Sequence, residues 1–265
     1  MTPLQERLLR GGPHLSVGVL GADLSRLGEQ IDDARAAGVD MFHVDVMDGV
    51  FCPQLTVGAP LVAAIGDAVA RDVHLMIDAP LDKIDPFVAA GADIVTFHVE
   101  STRHPHRVLQ TLRGSGAMRG VAVNPGTPVA AIEPLLDELE LILVLAVNPG
   151  WSGQTFIPST ERRVAEARTL IAQREIVLAV DGGITRANVE RVAQLGVDLI
   201  VTGSAVYDGG SPGDNARAML EAVRRARDDV EQPPSEGGPA VMGVDERGRM
   251  SDATVDVLRT PKLPD

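Results

Sequence analysis

Short apolar runs rich in Val, Ile and Leu alternate along this chain with longer stretches whose apolar residues recur at helical spacing. The runs predict strands over 14–20, 41–46, 72–77, 94–98, 120–123, 141–147, 175–180 and 199–202. Helices are predicted between them, near 24–37, 59–68, 81–89, 105–112, 128–136, 160–173, 186–195 and 212–227. Strands that lack polar alternation are those covered on both faces, as in parallel sheets. Eight strand–helix units of about 27 residues each match the size of a (β/α)8 TIM barrel, an α/β fold. Three similar joints support the count: Gly38-Val39-Asp40, Gly91-Ala92-Asp93 and Gly196-Val197-Asp198 each close a helix and enter the next strand. Glycine there takes the left-handed conformation that ends a helix. The competing open, doubly wound sheet usually carries an early G-x-G-x-x-G loop, and none follows the first strand.

Composition changes the picture at the C-terminal end. Residues 231–265 hold five prolines, seven acids, four bases and no aromatic residue. Such a segment buries too little apolar surface to offset its ordering entropy, so a flexible Pro/Gly-rich acidic tail is expected there, after a catalytic barrel over 1–230. The formal net charge of −13 argues against nucleic acid and against anionic membranes as partners. One cysteine, Cys52, excludes an intrachain disulfide framework. The N-terminus lacks the basic-then-apolar order of a signal peptide, and no apolar run is long enough to cross a bilayer, so the expected compartment is cytoplasmic.

In a barrel, reactive groups collect at the C-terminal ends of the strands. His43 and Asp45 close the second predicted strand two residues apart, hence on one side of it. His74 lies in the third, and Asp181 follows the seventh. Two imidazoles and two carboxylates at one mouth form a candidate site for a divalent ion: Zn2+, Fe2+, Mn2+ or Co2+. Taken singly, each signal has a plainer reading: a core histidine for His74, a turn residue for Asp48 before Gly49. Convergence of four ligand types is what favours a metal. His98, at the end of the next strand, reads as a neighbour hydrogen-bonded to the cluster.

Gly182 and Gly183 follow the seventh strand, and Gly203 and Ser204 the eighth, where many barrels hold a phosphate on backbone N–H groups. The loop Asn148-Pro149-Gly150-Trp151-Ser152-Gly153-Gln154 carries the only tryptophan between two glycines, and reads either as a water-excluding lid or as a static Pro-Gly turn. No phosphate loop of nucleotide hydrolases occurs.

These motifs resemble the ribulose-phosphate 3-epimerases of the pentose phosphate pathway. The matching runs are 43–49 with Phe51 and Pro53, 72–77, 90–93, Asn124-Pro125 with Thr127-Pro128, 147–150 with Gly153-Gln154, 180–184 and Gly203-Ser204, in order across about residues 14–208. The resemblance implies a ribulose-phosphate-binding type of barrel with one divalent metal ion on His43, Asp45, His74 and Asp181. It further implies that Asp45 and Asp181 are the acid/base pair that inverts C3 of D-ribulose 5-phosphate through a cis-enediolate, giving D-xylulose 5-phosphate. Gly150 and Gly153 join the substrate and phosphate contacts, Met47, Met76 and Trp151 line the site, and homo-oligomers are common. Three positions depart from the family's usual pattern: Gly18 in place of a serine, Leu145 in place of a methionine, and Trp151-Ser152 in place of Phe-Gly. They keep two alternatives open: a related 3-epimerase acting on another ketose phosphate such as D-allulose 6-phosphate, and a non-catalytic sugar-phosphate-binding barrel. Decarboxylase or aldol chemistry needs a strand-end lysine. The chain's two lysines, Lys83 and Lys262, fall in a predicted helix and in the tail.

Overall fold

The structure, a computed structural model, describes residues 1–231; apart from Glu231, the tail expected over 231–265 lies outside the described residues. Eight parallel strands close into a barrel in chain order: β1 (His14–Gly18), β2 (Met41–Met47), β3 (Ala70–Met76), β4 (Ile94–His98), β5 (Met118–Val123), β6 (Leu141–Leu145), β7 (Val177–Asp181) and β8 (Leu199–Thr202). Every predicted strand is present. Outward-facing Phe42, Val44, Val73, Leu75, Val95, Phe97, Ile142 and Val144 are buried in the layer shared with the helices. Inward-facing Met41, Ile94, Met118, Leu141, Val177 and Leu199 fill the barrel itself. Both faces are dry, which is why the strands read as unbroken apolar runs.

The helices are α1 (Pro3–Leu9), α2 (Leu27–Ala36), α3 (Ala59–Ile65), α4 (Asp85–Ala89), α5 (Pro105–Leu112), α6 (Thr160–Ile171), α7 (Val189–Ala193), α8 (Ser204–Tyr207) and α9 (Pro212–Glu231). Several are shorter than the periodicity predicts. The helix expected over 128–136 is a 3-10 stretch, Val129–Leu135, because Pro134 inside it removes an N–H donor. The one expected over 81–89 splits into a 3-10 turn, Pro80–Lys83, and α4, with a proline opening each piece. Helix α1 was not predicted. Its Leu8 is fully buried and plugs the N-terminal end of the barrel against Met41, Ile94 and Leu199.

The Gly-x-Asp joints do more than end helices. Asp93 accepts the backbone N–H of Arg71 at 2.8 Å, and Asp198 that of Leu178 at 2.8 Å. Glu140 does the same for Arg119 at 3.0 Å. Each carboxylate, at the entry to one strand, ties down the start of the strand before it.

Candidate active site

Along β2 the inward positions run Met41, His43, Asp45, Met47, and along β3 Ala70, Asp72, His74, Met76. The interior thus carries a polar layer, His43, Asp45, Asp72 and His74, between an apolar base and the methionines Met47 and Met76 at the C-terminal mouth. Strand register sets the neighbours: Asp45 lies beside His74, Met47 beside Met76, and Leu145 beside Asp181. His43 Nε2 and His74 Nδ1 each stand 3.2 Å from Asp45 Oδ1, and 4.0 and 3.8 Å from Asp181 Oδ2. The four ligating atoms all lie within 4.8 Å of one another. Both imidazoles are buried, while Asp45 and Asp181 keep 21% and 16% of their side-chain surface open at the mouth.

Two nitrogens and two carboxylate oxygens converging on one point fit a divalent ion of the Zn2+, Fe2+, Mn2+ or Co2+ type. The other nitrogen of each ring is also engaged, as ligating histidines require. His43 Nδ1 meets Asp72 Oδ2 at 2.7 Å, and Ser16 donates to the same oxygen at 2.9 Å. His74 Nε2 meets His98 Nε2 at 2.8 Å.

The electrostatics are strongly asymmetric. Burial opposes ionisation of Asp45, but the His43 and His74 rings outweigh it and hold its carboxyl far below the usual carboxylate range. Asp181, penalised by burial and then by the charge of Asp45, is pushed well up. Burial also disfavours charge on His43, yet Asp72 and Asp45 raise its pKa well above the ordinary imidazole value. His98 is driven down to about 4, mainly by burial.

A cavity of about 420 Å3 opens above the cluster. Asp45, Met47, Met76, Gly150, Trp151, Gly153, Asp181, Gly182, Gly183, Gly203 and Ser204 all line it, as do Gly18 and Leu145; His43 and His74 sit behind that wall. The two glycines after β7 are required by backbone and space together: Gly182 has φ +105 and Gly183 φ +65, and a Cβ on Gly183 would stand 2.5 Å from Phe156 N. The backbone N–H groups of Gly183 and Ser204 have no partner among the described residues, so they are free to meet an anion. No Lys or Arg is found among the residues lining the cavity. Over the mouth, Gln154 bonds back to the carbonyls of Asn148 and Trp151 at 2.6 and 3.0 Å, and Trp151 remains 48% exposed.

A sequence profile described as the ribulose-phosphate 3 epimerase family matches residues 14–207. Ribulose-phosphate 3-epimerase of Rhodobacter capsulatus is 44% identical over 217 residues, covering 78% of this chain and 94% of the relative. The chain belongs to the ribulose-phosphate 3-epimerase family. The enzyme of that name from Escherichia coli K12 is 42% identical over 196 residues, 72% of this chain and 87% of its own. Among solved structures, 3-hexulose-6-phosphate synthase of Salmonella typhimurium superposes with a TM-score of 0.63 at 19% identity, covering 81% of this chain and all of that one, a likeness of fold.

Within this epimerase fold, some site residues were not singled out from the sequence. Ser16 and Asp72 are buried behind His43, and Leu24 and Leu55 form an exposed apolar rim with Trp151. The usable signal for Asp72 was its spacing, two residues before His74. Asp48 is a turn residue: its carboxylate accepts the N–H groups of Val50 and Phe51 at 2.9 Å and of Asp78 at 2.8 Å, fastening the loop after β2 to the end of β3.

Proposed function

We propose that this protein inverts C3 of D-ribulose 5-phosphate to give D-xylulose 5-phosphate, with Asp45 and Asp181 as the two proton carriers. The observation that carries the reading is the meeting of the ligating atoms of His43, Asp45, His74 and Asp181, all within 4.8 Å, beneath a cavity that Asp45 and Asp181 line and that also exposes free backbone N–H groups.

Inversion at one carbon means removing a proton from one face and returning a proton to the other, so two groups must flank that carbon. Asp45 reaches the mouth from β2 and Asp181 from the end of β7, three strands away round the barrel through β1 and β8. In one direction the ionised carboxylate takes the C3 proton while the protonated one delivers its own to the other face; in the reverse direction the roles exchange. No proton is gained or lost overall. In the metal-free cluster the two carboxyls already differ: the neighbouring imidazoles favour ionised Asp45, whereas burial and the charge of Asp45 favour protonated Asp181. His43, Asp45, His74 and Asp181 would hold a divalent ion, which would supply positive charge to offset the negative charge that develops when the C3 proton is removed. The backbone N–H groups of Gly183 and Ser204 hold the phosphate, and the loop carrying Gly150, Trp151 and Gly153 keeps water from the carbanion-like carbon. Met47 and Met76 supply an apolar flank.

Gly18 favours a second substrate reading. It occupies an inward position at the end of β1, and a Cβ there would meet only ordinary contacts, the nearest at 3.5 Å. The vacancy leaves room for a longer sugar chain, as in a hexulose 6-phosphate. Comparing kcat/KM of the metal-loaded protein on pentulose and hexulose phosphates tests both: the pentulose reading expects D-ribulose 5-phosphate to be preferred and D-xylulose 5-phosphate to form. Absence of that product contradicts it.

A further inference from the structure

The two histidines of the cluster are supported differently. His43 has a carboxylate, Asp72, directly against its outer nitrogen at 2.7 Å. The outer nitrogen of His74 has instead a second imidazole, His98 Nε2, at 2.8 Å. The ring centroids are 4.9 Å apart and the planes 23° from parallel, so the rings meet end to end through those two atoms. His98 is fully buried, with Phe51 covering it at a centroid distance of 4.6 Å. Its remaining nitrogen, Nδ1, has no aligned hydrogen bond, and Glu100 Oε2 lies 3.4 Å away. Glu100 is itself held in place: its Oε1 accepts the backbone N–H of Asn124 at 2.8 Å.

Two ring nitrogens 2.8 Å apart share one proton, so one ring must offer a lone pair to the other. If His98 carried its proton on Nε2, His74 would carry its own on Nδ1, the atom that faces Asp45 and Asp181. An ion could not bind there. The negative charge of Glu100 beside His98 Nδ1 draws that ring's proton outward, leaving His98 Nε2 as the acceptor. His74 is then Nε2–H, with its Nδ1 lone pair directed between the two aspartates.

We propose that His98 and Glu100 are positioning residues which, through this two-ring chain, fix His74 as an Nδ1 ligand for a divalent ion; the inference rests on the reading of the cluster as a metal site. Phe51 and the Asn124 N–H hold the chain in place. For His43 the same work is done by Asp72 in one step.

The test is a Co2+ titration of the full-length protein after chelation, following affinity by competition and the visible ligand-field spectrum. His98→Phe removes the acceptor but keeps an aromatic ring; His98→Gln keeps an acceptor; Glu100→Gln removes only the charge. The expected result is Co2+ binding weaker by about 10- to 100-fold in His98→Phe with an altered spectrum, a smaller loss in Glu100→Gln, and His98→Gln closer to wild type. A role in packing alone predicts losses that follow thermal stability and ignore the acceptor. If His98→Phe binds Co2+ with wild-type affinity and spectrum, the chain is overturned while the four-residue site stands. If wild type itself takes up no Co2+, the metal reading falls and the chain with it. If His98→Phe does not fold, Glu100→Gln decides, and unchanged affinity and spectrum there overturn the proposal.

Discussion

Asp181 reaches the cluster only because β7 ends on an inward position and two glycines turn the chain away immediately afterwards. Replacing it by Asn keeps the shape and removes the proposed proton carrier. Turnover of Asp181→Asn should fall by at least about 10²- to 10⁴-fold, while binding of inorganic phosphate, measured by calorimetry, changes little. Gly183→Ala should do the reverse: it forces a side chain into a positive-φ position against Phe156, and is expected to raise KM more than it lowers kcat. The four cluster residues were legible because ligand types fall at the ends of three predicted strands, two of them, His43 and Asp45, on one side of the same strand. Asp72, two residues before His74, opens the predicted strand and follows the charged Arg71, and so looks like a boundary residue, whereas β3 begins at Ala70 and buries it. Leu24 and Leu55 carry no chemical signature at all; only the fold brings them to the rim.

The strands, as elements, were readable throughout, because a strand dry on both faces leaves a run with no polar residue to confuse it. Helices were less so. Their apolar stripes survive at α5 and α6, but Pro134 converts an expected helix to a 3-10 stretch, and Pro80 and Pro86 divide another. Helix α1 carries a local signal in the sequence: Thr2 caps it by accepting the N–H of Gln5 at 3.1 Å, with a proline in the first turn. No pattern in seven residues says that Leu8 closes a barrel. Leu8→Ala should lower stability by about 2–5 kcal/mol, read as a lower Tm, without changing kcat of the folded enzyme. The loop with Trp151 is a different case, since it lines the cavity while staying half exposed. Trp151→Ala is expected to lower kcat/KM while stability stays within about 0.5 kcal/mol of wild type. A loss of Tm with unchanged kcat/KM would assign that loop to structure alone.

The whole molecule carries a formal charge of −13, the wrong sign for a phosphate ligand, and no cationic side chain is found in the cavity wall to correct it locally. In the proposed reading, backbone N–H groups and a divalent ion answer that difficulty without altering the surface. The same cluster ties metal binding to pH. In the metal-free protein burial opposes charge on His43, but Asp72 and Asp45 outweigh it and raise its pKa, so that contribution to stability is complete below about pH 6.5 and is lost as pH rises through the higher folded value. An ion needs the lone pair that this proton occupies. Zn2+ affinity should therefore weaken as pH falls, and the Tm gained on adding Zn2+ to the chelated protein should be larger at pH 9 than at pH 6. The central claim is that Asp45 and Asp181 exchange a proton at C3 of a ketose phosphate. Incubating D-ribulose 5-phosphate with the metal-loaded protein in D2O and following it by NMR addresses this directly. The account predicts D-xylulose 5-phosphate with deuterium at C3 alone; no new sugar, or deuterium at C1 instead, would contradict it.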